Sequence, residues 1–300
     1  MLSNKHIKEL KKIVHGDIEL NVSMKNHTSF RIGGKVSVML FPREMTDLVE
    51  AICYLKKYGI KYYIIGAGTN ILVTDKDIDY VVLKLGSNFN NVTVKEDRII
   101  AYGGASINNV CIQAYNNGLS GMEDAFGIPG TIGGAVIMNA GAYNFEMSKV
   151  LGSVIALVDG KIKVFDNIKF GYRYSEFQDY ANIVILQVEI SLHSGNKPDI
   201  YARMQEVMNI RKDTQPLDKP SAGSIFKRLD GLIVSKEIER LGLKGEAIGG
   251  AKVSEKHAGF IINNGGASYT DVVELIDKIK DKFREIYDIE LVEEIKYLGE

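Results

Sequence analysis

The chain has 300 residues, 45% of them apolar and 25% charged, with a formal net charge of −1. That apolar content builds a core large enough for about two domains and excludes a disordered protein. The near-neutral balance excludes a chain steered as a whole toward nucleic acid or an anionic membrane.

In chain order, residues 1–25 read as a short amphipathic helix and a connector. The N-terminal stretch MLSNKHIKELKKIVHGD has no apolar core of signal-peptide length. No apolar run approaches the roughly 20 residues that span a bilayer. Both readings point to a cytoplasmic protein that uses no membrane. A strand is predicted at 36–41. A helix follows at 46–58, with Leu48, Ile52 and Leu55 on one face and Gly59 as its stop. Strands are predicted at 62–65, 71–73, 80–85 and 98–102. Ser106 is placed to cap a helix that runs to Asn117, with Gly118 ending it. Beyond a glycine-rich loop come strands at 153–158, 161–165 and 182–193.

The stretch SGNKPD, residues 194–199, reads as a linker between a larger and a smaller part of the chain. Helices are expected after it at 200–213, 229–241 and 270–287. The last carries Val272, Leu275, Ile276, Ile279 and Phe283 at helical spacing. Two cysteines, Cys53 and Cys111, are too few for a disulfide framework, and both are expected as core filler on helices. The five histidines have no metal-ligand spacing, so no metal site is expected. The whole reads as an α+β protein.

Three stretches give up side chains: RIGG at 31–34, GAGTN at 66–70 and GIPGTIGGAVIMNAGAY at 127–143. Glycine loses more conformational freedom on folding than other residues, so such runs mean that the backbone must come close to something. Neither common nucleotide motif is present, because Ile71 stands where the dinucleotide fingerprint needs its third glycine. Three loops able to present N–H groups, with Arg31 beside one, point to an anionic ligand of diphosphate type.

Polar candidates follow. GYRYSEF sets Arg173 between aromatics. In PSAGSIFKR, Ser224 sits among small residues with Lys227 and Arg228 close behind. The G-x-S-x-G elbow of a hydrolase is absent, so Ser224 reads as a proton donor or hydrogen-bonding group rather than a nucleophile. ELVEEIKYLG reads as strand-like, and neighbouring strand side chains face opposite ways. One of Glu293 and Glu294 can therefore turn inward, keep its proton and act as an acid.

The motifs SFRIGG, GAGTNILV, GIPGTIGGAVIMNAGAY, GYRYSEF, SAGSIFKR and HAGFIIN stand in this order from about Lys25 onward. In this the chain resembles the bacterial UDP-N-acetylenolpyruvoylglucosamine reductases. The resemblance implies an FAD-binding region of the vanillyl-alcohol-oxidase type at 26–193, in subdomains of about 26–85 and 86–193. A smaller α+β substrate domain at 199–300 follows. It implies that NADPH reduces the flavin and that hydride then passes from flavin N5 to UDP-N-acetylglucosamine enolpyruvate, in peptidoglycan precursor synthesis.

Carried onto matching positions, Arg173, Ser224 and Glu294 are the catalytic residues. Arg173 and Glu294 stabilise charge, Ser224 delivers the proton, and Glu293 is a bystander. The FAD contacts are Arg31, then Gly66, Ala67, Gly68, Thr69, Asn70, Ile71 and Leu72. They continue with Gly127, Pro129, Gly130, Thr131, Ile132, Gly133, Gly134 and Ala135. Tyr143, Lys227 and Arg228 are expected on the nucleotide-sugar.

The chain departs from the family where Leu291-Val292-Glu293-Glu294 replaces Leu-Glu-x-Glu and where Leu229 replaces a frequent proline. It is short between Tyr174 and Tyr201, like the branch without a tyrosine lid. The oligomeric state is left open, and a monomer is compatible with the sequence. Two other readings remain: a different FAD-dependent oxidase on the same scaffold, and a non-redox nucleotide-binding protein.

Overall fold

Ser3 starts the first helix by accepting the His6 N–H at 3.5 Å, and the chain then alternates strands and helices. The computed structural model describes residues 2–229 and 231–299. The elements are α1 (Asn4–Ile13), β1 (Asp17–Ser23), β2 (Lys35–Phe41), α2 (Met45–Lys57), β3 (Tyr62–Ile65), β4 (Ile71–Val73) and β5 (Ile78–Lys84). They continue with β6 (Val92–Lys95), β7 (Arg98–Tyr102), α3 (Ile107–Asn116), β8 (Leu119–Ser120), α4 (Ile132–Met138), β9 (Gly141–Ala142) and β10 (Phe145–Glu146). Next are β11 (Leu151–Val158), β12 (Lys161–Phe165), β13 (Phe170–Gly171), β14 (Tyr174–Ser175), β15 (Ile183–Ser191), β16 (His193–Ser194) and α5 (Lys197–Thr214). Last are β17 (Ser221–Ser224), α6 (Val234–Arg240), β18 (Ala247–Ile248), β19 (Ala251–Val253), β20 (Phe260–Asn263), α7 (Tyr269–Tyr287) and β21 (Lys296–Leu298).

Two compact units share this chain. The first holds the residues up to Asn21, then Ser37–Ala67 and Asp79–Ile210. Its four-stranded sheet has the order β1-β2-β5-β3, with β3 and β5 parallel from Tyr62↔Val81 to Ile65↔Lys84. Helices α1 and α2 cover one face through Leu10, Leu48, Ile52 and Leu55, which meet Val81, Leu83 and Leu85. A five-stranded antiparallel sheet, β12-β11-β15-β7-β6, follows. Val154, Ala156 and Val188 on one of its faces pack with Val110 of α3 and Ile132 and Val136 of α4. Leu157, Val184 and Leu186 on the other face join the α1–α2 core. The sheet is buried on both sides, and the alternation along β15 is reset between Leu186 and Val188, where its register with β11 shifts at Ile155 and Ala156.

The second unit holds Val22–Val36, Gly68–Ile78 and the chain from Arg211 onward. Its sheet has the order β17-β20-β19-β18, and a separate parallel pair joins β21 to β4. Helix α7 opens with a capping box between Ser268 and Asp271. The predicted stripe Val272, Leu275, Ile276, Ile279 and Phe283 is buried against Ala251, Val253 and Ile261. Each such side chain contributes roughly 1.5–3 kcal/mol by leaving water.

Most predicted elements lie within one or two residues of the observed ones, and Ser106 does cap α3, accepting the Asn109 N–H at 3.0 Å. Five expectations need correction. The connector after α1 is the strand β1, whose side chains are mostly exposed and give no alternating apolar signal. Cys53 is exposed, because α2 buries Leu48, Ala51, Ile52 and Leu55 and the next position turns 100° away from them. Cys111 is buried as expected. The supposed linker 194–199 already contains the end of β16 and the first turn of α5. The helix predicted at 229–241 shrinks to α6, and Leu229 instead bridges to Leu232 (Asp230 lies outside the described residues). In the run 290–299 only β21 is a regular strand. Among the described residues, no helix is long and apolar enough to cross a membrane.

Candidate active site

The first unit supplies a surface made of backbone. Strand β3 ends at Ile65 and turns at Gly66. A Cβ on Gly66 would stand 2.3 Å from Thr131 Oγ1, so only glycine lets this turn touch the start of α4. Thr131 is buried and caps α4, accepting the Gly134 N–H at 3.4 Å. Gly133 packs on Gly103, with its N–H donated to the Gly103 carbonyl at 2.8 Å. The Ile132 N–H goes to the Ala105 carbonyl at 2.8 Å. The first N–H groups of α4 are thus taken by protein acceptors, and the helix start is a packing joint rather than an anion site. Gly127 donates to Asn108 Oδ1 at 2.7 Å. Ala67, Pro129 and Gly134 remain exposed, so the outward surface of these loops is backbone and small side chains. A cradle of bare backbone and small side chains fits a cofactor lying flat against the chain.

Helix α4 also sets two tight hairpins. It ends on Asn139, which is buried and left-handed at φ +41°. Asn139 Nδ2 donates to the Gly171 carbonyl at 2.9 Å, and its Oδ1 accepts the Ser148 N–H at 3.0 Å. The β9–β10 hairpin turns at Tyr143 and Asn144, and the β13–β14 hairpin turns at Tyr172 and Arg173. Arg173 Nη2 donates to the Gly141 carbonyl at 2.7 Å, which joins the two turns. The guanidinium carbon lies 5.1 Å from the centre of the Tyr172 ring. The bond to Gly141 orients the guanidinium fork.

In the second unit Ser224 closes β17, which pairs with β20 through Ser224↔Phe260 and Ser221↔Ile262 with a shift between them. Gly223 takes φ +80° at that irregularity, where a Cβ would meet nothing within 4 Å, and Ser224 beside it is partly exposed. Beyond Ser224 the chain runs beside the segment that carries the two glutamates. The Glu294 N–H donates to the Ile225 carbonyl at 2.7 Å, the Lys227 N–H donates to the Val292 carbonyl at 2.8 Å, and Phe226 bridges Glu293.

Asn70 brackets the same place. Its Nδ2 donates to the Glu294 carbonyl at 3.2 Å, and its own carbonyl accepts the Lys296 N–H at 3.0 Å. Strand β4 then pairs with β21 from Ile71↔Lys296 to Val73↔Leu298. The Arg31 segment is fixed through Ser29, whose hydroxyl donates to the Ser221 carbonyl at 2.6 Å and whose N–H donates to the Gly68 carbonyl at 3.0 Å. A Cβ on Gly68 would stand 2.2 Å from the His27 carbonyl oxygen. This unit therefore brings together Ser224, Glu294, Lys227, Asn70 and the Arg31 turn; Arg228 is exposed beside them. His257 Nδ1 accepts the Gly259 N–H at 3.2 Å, and burial lowers the ring's pKa.

Three site candidates share one backbone feature. Among the described residues, eight that are not glycine take positive φ. Asn21, Asn139, Asp159 and Asp288 are of the types that tolerate it, and Glu96 lies in the turn between β6 and β7. The other three are Arg31 at +56°, Tyr143 at +55° and Arg173 at +52°. Each costs on the order of 1–3 kcal/mol, and such strain gathers where geometry matters more than stability.

Two features escaped the sequence reading. Lys296 has its pKa lowered, first by burial and then by the charge of Lys227, so these two ammonium groups lie near one another. Lys296 lies two residues after Glu294 in ELVEEIKYLG, a run read only for its glutamates. Glu293 is no solvated bystander: its carboxylate pairs with Lys280 and accepts the Tyr297 hydroxyl.

A family model described as "FAD binding domain" matches residues 36–166, and one described as "UDP-N-acetylenolpyruvoylglucosamine reductase, C-terminal domain" matches residues 215–298. The chain is 47% identical over 298 residues to the UDP-N-acetylenolpyruvoylglucosamine reductase of Caldanaerobacter subterraneus subsp. tengcongensis, covering 98% of each. It is 47% identical to the enzyme of that name from Fervidobacterium nodosum, covering 93% of this chain and 91% of the relative. Among solved structures, the UDP-N-acetylenolpyruvylglucosamine reductase (MurB) of Thermus caldophilus matches with a TM-score of 0.80 at 30% identity, covering 95% of this chain and 99% of that one.

Proposed function

The chain belongs to the UDP-N-acetylenolpyruvoylglucosamine reductase family, and on that premise we propose how its residues divide the reaction. It is an FAD-dependent oxidoreductase of α+β fold, with an FAD-binding region of the vanillyl-alcohol-oxidase type and a smaller C-terminal domain. The reaction is the NADPH-dependent reduction of the enolpyruvyl ether of UDP-N-acetylglucosamine to UDP-N-acetylmuramate. It serves peptidoglycan precursor synthesis in the cytoplasm, where the reductant and the nucleotide-sugar are found.

FAD, when bound, supplies the carrier that takes hydride from NADPH and gives it to the enol carbon. Gly66–Ala67, Gly68–Leu72, the 127–135 loop and Arg31 hold it. Tyr143, Lys227 and Arg228 bind the nucleotide-sugar. Ser224 holds the proton that goes to the carbon beside the substrate carboxylate. Arg173 and Glu294 stabilise the negative charge that builds there, the first as a fixed cation and the second as a proton-bearing donor.

The observation that carries this reading is the Glu294–Ile225 hydrogen bond, which sets a hydroxyl and a carboxyl on adjacent extended segments. An anaerobic titration followed by visible absorbance tests it. NADPH is expected to bleach the flavin, and UDP-N-acetylglucosamine enolpyruvate to restore the colour. Bleaching with no return of colour moves the substrate assignment to another flavin oxidase. Absence of a flavin spectrum after FAD is added overturns the whole reading.

A further inference from the structure

Glu293 is placed to do more than balance charge. Its side chain keeps 15% of its surface exposed, with Lys280 of α7 on one oxygen and the Tyr297 hydroxyl on the other. The backbone around it is extended and bound on both sides, through Val292 to Lys227 and through Glu294 to Ile225. In extended chain, successive side chains leave on opposite faces. Ile295 lies in the core that contains Ile276, Ile279 and Phe283 of α7, and Tyr297 meets Tyr269 edge-on at 6.1 Å. The contacts to Lys280 and Tyr297 put the Glu293 side chain on the α7 side. Glu294 and Lys296 are thereby sent to the other one.

A half-buried ion pair is a poor way to add stability, because desolvation offsets most of the attraction and an apolar residue can serve the fold as well. What it does supply is one geometry. We propose that Glu293 is a positioning residue for Glu294: its carboxylate, held between α7 and Tyr297, fixes the residue before the acid and so fixes the direction of the acid's side chain. This rests on the reading of Glu294 as a catalytic group.

Three variants of the flavin-loaded enzyme test it by rapid mixing: Glu293→Ala, Glu293→Gln and Glu294→Gln. The readouts are flavin reduction by NADPH, the limiting rate of reoxidation by UDP-N-acetylglucosamine enolpyruvate, and the half-saturating substrate concentration. Misplacing a reacting group by an ångström can slow chemistry strongly, so Glu293→Ala is expected to lower the limiting reoxidation rate by about tenfold or more. Flavin reduction and half-saturation stay close to wild type. Glu293→Gln keeps the shape and one acceptor, and is expected to recover to within about threefold.

Reoxidation at the wild-type rate in Glu293→Ala, or in the apolar Glu293→Met should the alanine variant not fold, overturns the inference whatever the change in thermal stability. A parallel loss in both half-reactions overturns it too, since the damage is then general. If Glu294→Gln is slow while Glu293→Ala is fast, positioning alone fails. If Glu294→Gln reoxidises normally, the role of Glu294 falls and the inference falls with it.

Discussion

The backbone N–H of Glu294 donates to the carbonyl of Ile225 across 2.7 Å. Ile225 directly follows Ser224, so this one bond ties the segment bearing the carboxyl to the segment bearing the hydroxyl. The Lys227–Val292 bond and the Phe226–Glu293 bridge fix the register on either side. A slip of one residue would exchange Glu293 and Glu294 between faces.

Ser224→Ala follows from that arrangement. The substitution removes one oxygen from a partly exposed side chain and leaves the backbone pairing of β17 with β20 in place, so folding and flavin content should hold. Flavin reduction by NADPH should stay near wild type. Reoxidation by the enolpyruvyl substrate should slow by about a hundred- to ten-thousand-fold, the range for losing a positioned proton donor. Stopped-flow absorbance separates the two half-reactions, and normal reoxidation would sink the proton-donor role.

Gly66→Ala addresses the cradle. The new Cβ would stand 2.3 Å from Thr131 Oγ1, and Thr131 is buried with its hydroxyl engaged as the cap of α4. Overpacking of this kind costs about 1–3 kcal/mol. The expected result is a lower melting temperature and a low flavin-to-protein absorbance ratio. Gly86→Ala is the control, since its Cβ meets nothing within 4 Å. Equal flavin content in both variants would show that the Gly66 turn does not need its close approach.

Helices α3 and α7 were legible because a serine cap and an apolar stripe are both local signals. Cys53 was misread because it sits beside Ile52 in sequence but a third of a turn away in space. The second unit draws in residues 22–36 and 68–78, and no local signal announces that. Its parallel partner for Ile71 is Lys296, a pairing that the sequence of neither strand specifies. At the site, residue types were legible through motifs, but the left-handed backbone of Arg31, Tyr143 and Arg173 was not. Those side chains do not favour φ > 0, so only tertiary structure can impose it.

His15 and Asp47 give a pH test within the first unit. Asp47 is buried and accepts the His15 N–H at 3.3 Å, the Arg43 N–H at 3.4 Å and His15 Nδ1 at 2.7 Å. The hydrogen bond to Asp47, then its charge, raises the pKa of the exposed His15 ring above 6.5. A raised histidine stabilises the fold fully below its unfolded pKa, and the contribution disappears as pH climbs through the folded one. Urea midpoints of wild type and His15→Ala should therefore differ more at pH 5.5 than at pH 8. An equal gap at both values would mean that the ring does not titrate against Asp47.

Lys84 predicts the opposite slope at higher pH. It ends β5 opposite Ile65, at the carboxyl end of β3 where the Gly66 turn begins. Val81, Leu83 and Leu85 point into the α1–α2 core, so alternation sends Lys84 to the other face. Burial there pulls its ammonium down from 10.5 to about 8. Between those values the unfolded chain still carries the proton and the folded chain has lost it, so stability rises with pH across that window and is level on either side. Methionine cannot titrate. Measured as urea midpoints, wild type should gain on Lys84→Met between pH 8 and pH 10, beyond any change common to both. A constant difference over that range would show that the Lys84 amine keeps its ordinary pKa in the folded protein.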